Sequence, residues 1–383
     1  MDKAHMRRAL RIAVGITMLA LLLAGKVGSE TNITNGGEIL ISADGAAPDW
    51  SPDGTKIAFK FGGIYESGIW VMGTDGNGKR QIDARGYNPD WSPDGTKLTF
   101  IYNGIWIINV DGTGKRQITP NTGSLITPHW SPTGDKISYF ESSANGEDWD
   151  IYTINEDGSG LTDITNGSSW WETYHTWSPD GSKIAFATGD GNGIWVMNSN
   201  GSNRNQLISD TSARGDLDWS PDGSKIAYTT EKSGDADIWI MNSDGTGQTQ
   251  LTSHVSSDEY SLSWSPDGTK IVYSHWPEGI VVITLNITTI LPRFINGTVV
   301  ESANKTGITG VRVSTNTNHS TTTNESGFYS LAVTEGTYNL TARFEPTYYS
   351  NTTTVSTIES AVVIQDIELL KKPTGNITGW VTT

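Results

Sequence analysis

Six times along the chain, one polar phrase is followed by a short apolar run. The phrase begins at Trp50 (WSPDGTKIAF), Trp91 (WSPDGTKLTF), Trp130 (WSPTGDKISYF), Trp177 (WSPDGSKIAF), Trp219 (WSPDGSKIAY) and Trp264 (WSPDGTKIVY). In Ser-Pro-Asp-Gly, proline presets the φ of the second turn position, while serine and glycine suit the first and fourth, which predicts a type I turn. The residues beyond it, such as Lys56 to Phe59, read as a strand. A second apolar run then follows: GIWVMG at 68–73, GIWIIN at 104–109, DIYTIN at 150–155, GIWVMN at 193–198, DIWIMN at 237–242 and the degenerate GIVVITLN at 279–286. Apolar at nearly every position, these runs predict strands covered on both faces, as in a blade between two other blades. Turns such as Asp111 to Gly114 lead into short strands like Arg116 to Thr119, so each unit holds four strands.

Successive phrases lie 41, 39, 47, 42 and 45 residues apart, in the range of four-stranded propeller blades. The sixth unit lacks a fourth strand of its own, whereas Glu38 to Ser42 is a strand with no blade. The N-terminal strand is therefore expected to complete the sixth blade and close the ring, which removes exposed sheet edges. From Arg293 the pattern changes to alternating apolar and polar residues between Gly-bearing turns, which predicts a small antiparallel sandwich. The fold class is all-β: a six-bladed β-propeller closed by an N-terminal strand, plus that sandwich.

The repeated WSPDG-x-K-I-A-F, followed by I-W-V-M-N-x-D-G-x-G, resembles the TolB-like (WD40-like, PD40) β-propeller repeat over residues 38–286. That resemblance implies a protein-interaction or ligand-binding scaffold more than an enzyme, and the chain shows no G-x-S-x-G nucleophile elbow. The sandwich is similar to the carboxypeptidase regulatory-like, transthyretin-like domain at Gly297, Gly310, Val311, Gly327, Tyr329, Gly336 and Tyr338. That likeness implies a spacer or adhesive unit without chemistry of its own. The expected organisation is a signal peptide over 1–29, a linker over 30–37, the propeller over 38–286, a linker over 287–292, the sandwich over 293–372 and a tail over 373–383. The tail resembles the opening strand of a further module.

Charge and composition narrow the setting. Lys3, Arg7, Arg8 and Arg11 precede an apolar run from Ile12 to Ala24, with Gly25, Gly28 and Ser29 after it, the layout of a signal peptide. The run is shorter than the ~20 residues that cross a bilayer, so no membrane span is expected after cleavage. The formal charge of −16 becomes −20 once five basic and one acidic side chain leave with residues 1–29, which argues against nucleic acid as a partner. With no cysteine there is no disulfide framework or thiolate site. These features predict a secreted or cell-surface monomer, on an archaeal surface or in a bacterial periplasm. Eleven Asn-x-Ser/Thr sequons, eight of them in the last 98 residues, suit an N-glycosylated surface protein.

The turns of the repeat share one face of the disc, and the loops that vary in length and chemistry share the other, where binding residues concentrate. Ten of the 15 tryptophans have repeat roles and are expected in the core. Trp149 and Trp276 fall in second-to-third-strand loops of the variable face, and Trp170 and Trp171 in a loop between blades. Tyr65, Tyr87, Tyr174, Tyr260, His129, His175, His254 and His275 join them. Exposed aromatics of this kind serve sugar stacking or a protein hot spot. Asp49, Asp90 and Asp218 stand directly before the repeat tryptophan and are expected to line the central channel with His129 and His175. That set could hold a divalent cation, or the aspartates could satisfy neighbouring backbone donors. The candidate ligand-binding residues are thus Trp149, Trp170, Trp171, Tyr174, His175, Trp276, Asp49, Asp90, His129 and Asp218, with no cofactor, metal or catalytic residue assigned. The expected function is non-enzymatic binding of a protein or a cell-envelope glycan. The alternative is a glycan-active hydrolase or lyase using acidic and histidine residues at the channel mouth.

Overall fold

A computed structural model describes residues 30–372 apart from 63–66, 121–124, 143–148, 166–171, 190–192, 210–211, 213–214, 255–256, 291–292, 318, 346 and 359–361. The expected signal peptide, the tail with Trp380, Tyr65, Trp170 and Trp171 lie outside the described residues.

The repeated phrase folds as its chemistry dictates. Ser51 Oγ accepts from Lys56 N at 2.9 Å and donates to the Asp53 carboxylate at 2.6 Å, and that carboxylate accepts Thr55 N at 3.0 Å. Gly54 N closes the turn on Ser51 O at 2.8 Å, with Gly54 at a φ of 67° that favours glycine. The same bonds recur at Ser92, Ser178, Ser220 and Ser265.

Each turn joins the inner two strands of a blade. A long first strand, β1 (Glu30–Ser42), precedes the blades. Blade 1 holds β2 (Ala46–Trp50), β3 (Lys56–Phe61), β4 (Gly68–Gly73) and β5 (Arg80–Asp83). Blade 2 holds β6 (Tyr87–Trp91), β7 (Lys97–Ile101), β8 (Ile105–Asn109) and β9 (Arg116–Gln117). Blade 3 is β10 (Leu125–Trp130), β11 (Lys136–Ser142), β12 (Trp149–Asn155) and β13 (Thr162–Asp163). Blade 4 is β14 (Glu172–Trp177), β15 (Lys183–Thr188), β16 (Gly193–Asn198) and β17 (Asn205–Ile208). Blade 5 is β18 (Leu217–Trp219), β19 (Lys225–Thr230), β20 (Asp237–Asn242) and β21 (Thr249–Gln250). Blade 6 has β22 (Asp258–Trp264), β23 (Lys270–Trp276) and β24 (Gly279–Ile290), and β1 is its fourth strand, in the order β1-β24-β23-β22.

The ring closes through its turns as well. A Cβ placed on the turn glycine of each blade would sit 3.3–3.8 Å from the turn proline of the preceding blade, from Gly95 against Pro52 round to Gly54 against Pro266. The six repeat tryptophans are buried in the clusters that pack blade on blade. Third-strand Trp70, Trp106, Trp195 and Trp239, expected in the core, are half-buried and pack against the inter-blade clusters from their edges. Lys115 caps Trp106 at 4.8 Å and Lys232 caps Trp239 at 5.1 Å.

Strands β1 and β24 both run further than expected. The linkers read over 30–37 and 287–292 are strand from Glu30 and as far as Ile290. Their Ile- and Thr-rich stretches have the β-branched composition of strands, and pairing gives each the partner that a sequence window does not show.

The described residues form two compact units, Ile33–Ile287 and a second that comprises residues 30–32 and those from Thr288 onward. The second unit contains β25 (Arg293–Glu301), β26 (Arg312–Thr315), β27 (Ser320–Thr322), β28 (Phe328–Val333), β29 (Thr337–Arg343), β30 (Asn351–Ser356), β31 (Val362–Ile364) and β32 (Ile367–Leu369). One sheet runs β28-β25-β31 with β32 also on β25, and the other runs β27-β26-β29-β30. Pairings are antiparallel except for β31 and β32, which join β25 in parallel. Alternate residues of β28 and β29, among them Tyr329, Leu331, Tyr338 and Leu340, point into one apolar core. Among the described residues no helix is long and apolar enough to cross a membrane.

Candidate functional site

The six innermost strands surround the channel. The residues directly before the repeat tryptophans are Asp49, Asp90, His129, Thr176, Asp218 and Ser263. Asp49 accepts Trp91 N at 2.9 Å, Asp90 accepts Trp130 N at 2.7 Å and Asp218 accepts Trp264 N at 2.8 Å. Ser263 Oγ accepts Trp50 N at 3.4 Å and donates to Asp49 at 2.9 Å. Thr176 Oγ1 donates to Asp218 at 3.1 Å. Each of these carboxylates therefore clasps the next blade by its backbone.

In four of the blades the chain kinks two residues before the repeat tryptophan's immediate neighbour. Ala47, Asn88, Thr127 and Ser261 hold φ values of 49°, 51°, 47° and 53°, each inside a register shift of its inner strand pair. Such bulges turn side chains toward a barrel or channel rim. These four residues, with Asp49, Asp90, His129 and Asp216, line a channel cavity of about 60 Å³.

Burial, and then the Asp90 charge, raise Asp49 well above its ordinary pKa. Burial pushes Asp218 up to about 6 and raises Asp216. For His129 burial favours the neutral form, but the 3.0 Å bond to Asp90 and the charges of Asp90, Asp49 and Asp218 outweigh it, and its pKa rises.

His175, expected at the channel with His129, does meet that ring edge-on at 5.1 Å, but it is buried behind it and does not line the channel cavity. It occupies the blade 4 position where blades 1, 2 and 3 carry Pro48, Pro89 and Pro128. Its Nε2 lies 2.6 Å from Ser138 Oγ of blade 3 and its ring meets Phe140 edge-on at 4.5 Å. Burial and the His129 charge hold its pKa well below the usual value. Trp149 and Trp276, expected in loops, belong to strands, since β12 and β23 extend to the rim of the disc. Trp149 packs on the apolar cluster between blades 3 and 4, whereas Trp276 is 65 % exposed. Tyr174 packs partly on the cluster between blades 4 and 5, and the Asp216 charge, then burial, push its pKa up to about 12.

Two open clefts flank the channel mouth. The first, about 340 Å³, is lined by Tyr174, Asp216, Glu231, Asp258, Glu259 and Tyr260 among others, with no Lys or Arg among the described residues of its wall. The second, about 330 Å³, holds Lys60, His275, Trp276 and Pro277. They share Tyr260, and the first shares Asn88, Thr127, Asp216 and Ser261 with the channel. The chemistry of this face is thus acidic and aromatic.

Beside the clefts lies a group that sequence reasoning missed. His254, Glu259 and His275 each present one ligand-type atom, all within 4.8 Å of one another. The sequence signal was slight: both histidines were placed on the variable face, but Glu259 stands in an ordinary inner strand. Burial is the main cause that lifts Glu259 to about 8, with the Asp237 and Glu38 charges adding to it.

Comparison with known proteins agrees with this geometry. The family described as TolB beta propeller domain, PD40, matches residues 102–303. TolB from Acinetobacter baumannii is 23 % identical with a TM-score of 0.51, over 58 % of this chain and 57 % of that one, so the chain spans little more than half of that protein's length. A putative TolB from Agrobacterium tumefaciens is 21 % identical with a TM-score of 0.53, over 68 % of this chain and 99 % of that one. Regucalcin, a calcium-binding protein from Agrobacterium tumefaciens, shares the fold at 12 % identity and a TM-score of 0.52, over 66 % of this chain and 94 % of that one. No curated protein matches the chain. With six repeat blades closed by β1 and the family match spanning more than half its length, the chain belongs to the TolB beta propeller domain (PD40) family.

Proposed function

We propose that the protein is a non-enzymatic binding scaffold outside the cytoplasm, secreted or at the cell surface, and that it takes a protein ligand on the face carrying the two clefts. The observation that carries this reading is the pair of clefts joined at Tyr260, one of them presenting the carboxylates of Asp216, Glu231, Asp258 and Glu259. A cationic segment entering that cleft gains Coulomb energy from several carboxylates, and Tyr260 and Trp276 supply rigid aromatic contact. The carboxylates available to a glycan-active enzyme, Asp49, Asp90 and Asp218, each hold a tryptophan N–H of the next blade, which is a structural duty.

Residues 1–29 are read as the signal that exports the chain, and the carboxy-terminal sandwich as a carboxypeptidase regulatory-like spacer. The protein works as a monomer whose sequons carry glycans. Binding of short peptides to the full chain by fluorescence anisotropy tests the ligand class. Arg- and Lys-rich peptides are expected to bind, more weakly as salt rises, and Asp258→Asn with Tyr260→Ala to weaken them at least tenfold. Equal binding of neutral and basic peptides, or no effect of the two substitutions, would contradict the reading.

A further inference from the structure

The His254 group lies where the ring closes. His254 follows β21 of blade 5, Glu259 is on β22, His275 on β23, and Glu38 on the closing strand β1. Glu259 is fully buried and faces both imidazoles: its Oε1 is 3.0 Å from His254 Nδ1 and 3.5 Å from His275 Nε2. Its other oxygen accepts from Thr252 Oγ1 at 3.1 Å. The two rings sit 4.7 Å apart.

The outer nitrogens are also provided for. His254 Nε2 is 3.0 Å from Glu38 Oε2, and His275 Nδ1 is 3.5 Å from the Glu278 carboxylate. Metal-binding histidines characteristically give their second nitrogen to a carboxylate, and ligating carboxylates are themselves hydrogen-bonded. His275 is only 7 % exposed, yet neither of its nitrogens makes a hydrogen bond, a costly arrangement for a buried polar ring. Among the described residues, none of the ion pairs of Glu38, Glu259 or Glu278 is to Lys or Arg. Three carboxyl groups and two imidazoles, with no Lys or Arg paired to them among the described residues, make a donor set that a dication would satisfy.

We propose that His254 Nδ1, Glu259 Oε1 and His275 Nε2 form a binding site for a divalent first-row transition metal of the zinc class, with Glu38 and Glu278 as outer carboxylates. Two imidazoles and one carboxylate suit such ions, whose tetrahedral N and O ligands stand about 3.4 Å apart at bond lengths of about 2.0–2.2 Å. The 3.0 and 3.5 Å separations to Glu259 already bracket that spacing. Spanning blade 5, blade 6 and β1, the ion acts as a clip on the closure of a propeller that has no cysteine. The site stands independently of the protein-ligand reading.

Chelator-stripped full chain titrated with Zn²⁺ by calorimetry, and with Co²⁺ by visible absorption, tests this. One ion per chain is expected, with a Co²⁺ ligand-field spectrum of a four- or five-coordinate site and a Zn²⁺-dependent rise in Tm. His254→Gln and His275→Gln should each lower affinity at least 100-fold and Glu38→Gln by about 10- to 100-fold, while His319→Gln in the sandwich changes nothing. In the unmodified chain, Zn²⁺ should protect His254 and His275 from diethyl pyrocarbonate, a readout that needs no variant to fold. Absence of saturable binding, unchanged affinity in His275→Gln, or no protection would each overturn the site and leave a purely hydrogen-bonded cluster.

Discussion

At the scale of single residues, the channel rim is held in a conformation that most side chains avoid. Ala47 sits at a φ of 49° with its N–H bonded to Ser274 Oγ at 2.9 Å. A left-handed non-glycine residue costs roughly 1–2 kcal/mol, while glycine adds about 0.5–1 kcal/mol of unfolded-state entropy. Ala47→Gly is therefore expected to stabilise the propeller slightly, by about 0.5 kcal/mol, and Ala47→Val to destabilise it, both measured by chemical denaturation.

Titrating groups work in two directions. Hydrogen bonds from their turn serines, then from the following backbone N–H, hold Asp53, Asp94 and Asp180 down to about 2. They lend stability that is present above the ordinary carboxylate pKa and lost as pH falls through about 2. Asp218, raised to about 6 by burial, does the reverse: its contribution is present below the ordinary value and lost as pH climbs through 6. Tm in a chelator-containing pH series should thus peak between about pH 4 and 5, and Asp218→Asn should flatten the fall between 4 and 6. A wild-type Tm that rises steadily from 4 to 7 would refute this balance.

At the scale of elements, a carboxylate clasps the backbone of the next blade at three of the six junctions, through Asp49, Asp90 and Asp218. Removing Asp90 leaves Trp130 N without its 2.7 Å partner and frees His129. Asp90→Ala should cost about 1.5–3 kcal/mol, as for a hydrogen bond to a charged group, and a loss below 0.5 kcal/mol in urea melts would remove the clasp from the account. These elements were largely legible beforehand. Six turn phrases marked six blades, and Glu38 to Ser42 had no partner except the incomplete sixth unit. Strand ends were less legible, because a bulge before five of the six repeat tryptophans breaks the two-residue alternation. The same bulge, with His175 replacing a proline, hid that His175 turns inward against Phe140 rather than into the channel. The group of Glu38, His254, Glu259 and His275 escaped notice because ring closure alone brings its members together.

At the scale of the whole molecule, a rigid ring presents one acidic, aromatic face while its turns make the other face uniform. The surface that glycans would occupy is also patterned. Asn304, Asn324, Asn339 and Asn351 are exposed, but Asn296 is 3 % exposed within β25. Glycopeptide mass spectrometry of the native protein should find glycans among the first four and none at Asn296.

The claim on which the functional account rests is that the cleft face, and not the turn face, meets the partner. A photo-crosslinking amino acid placed at Tyr260 on one face and at Asp94 on the other, in protein displayed on its native cell, tests it most directly. The account predicts discrete protein adducts from position 260 and none from position 94. Adducts from position 94 alone, or none from 260 with the fold intact, would contradict it.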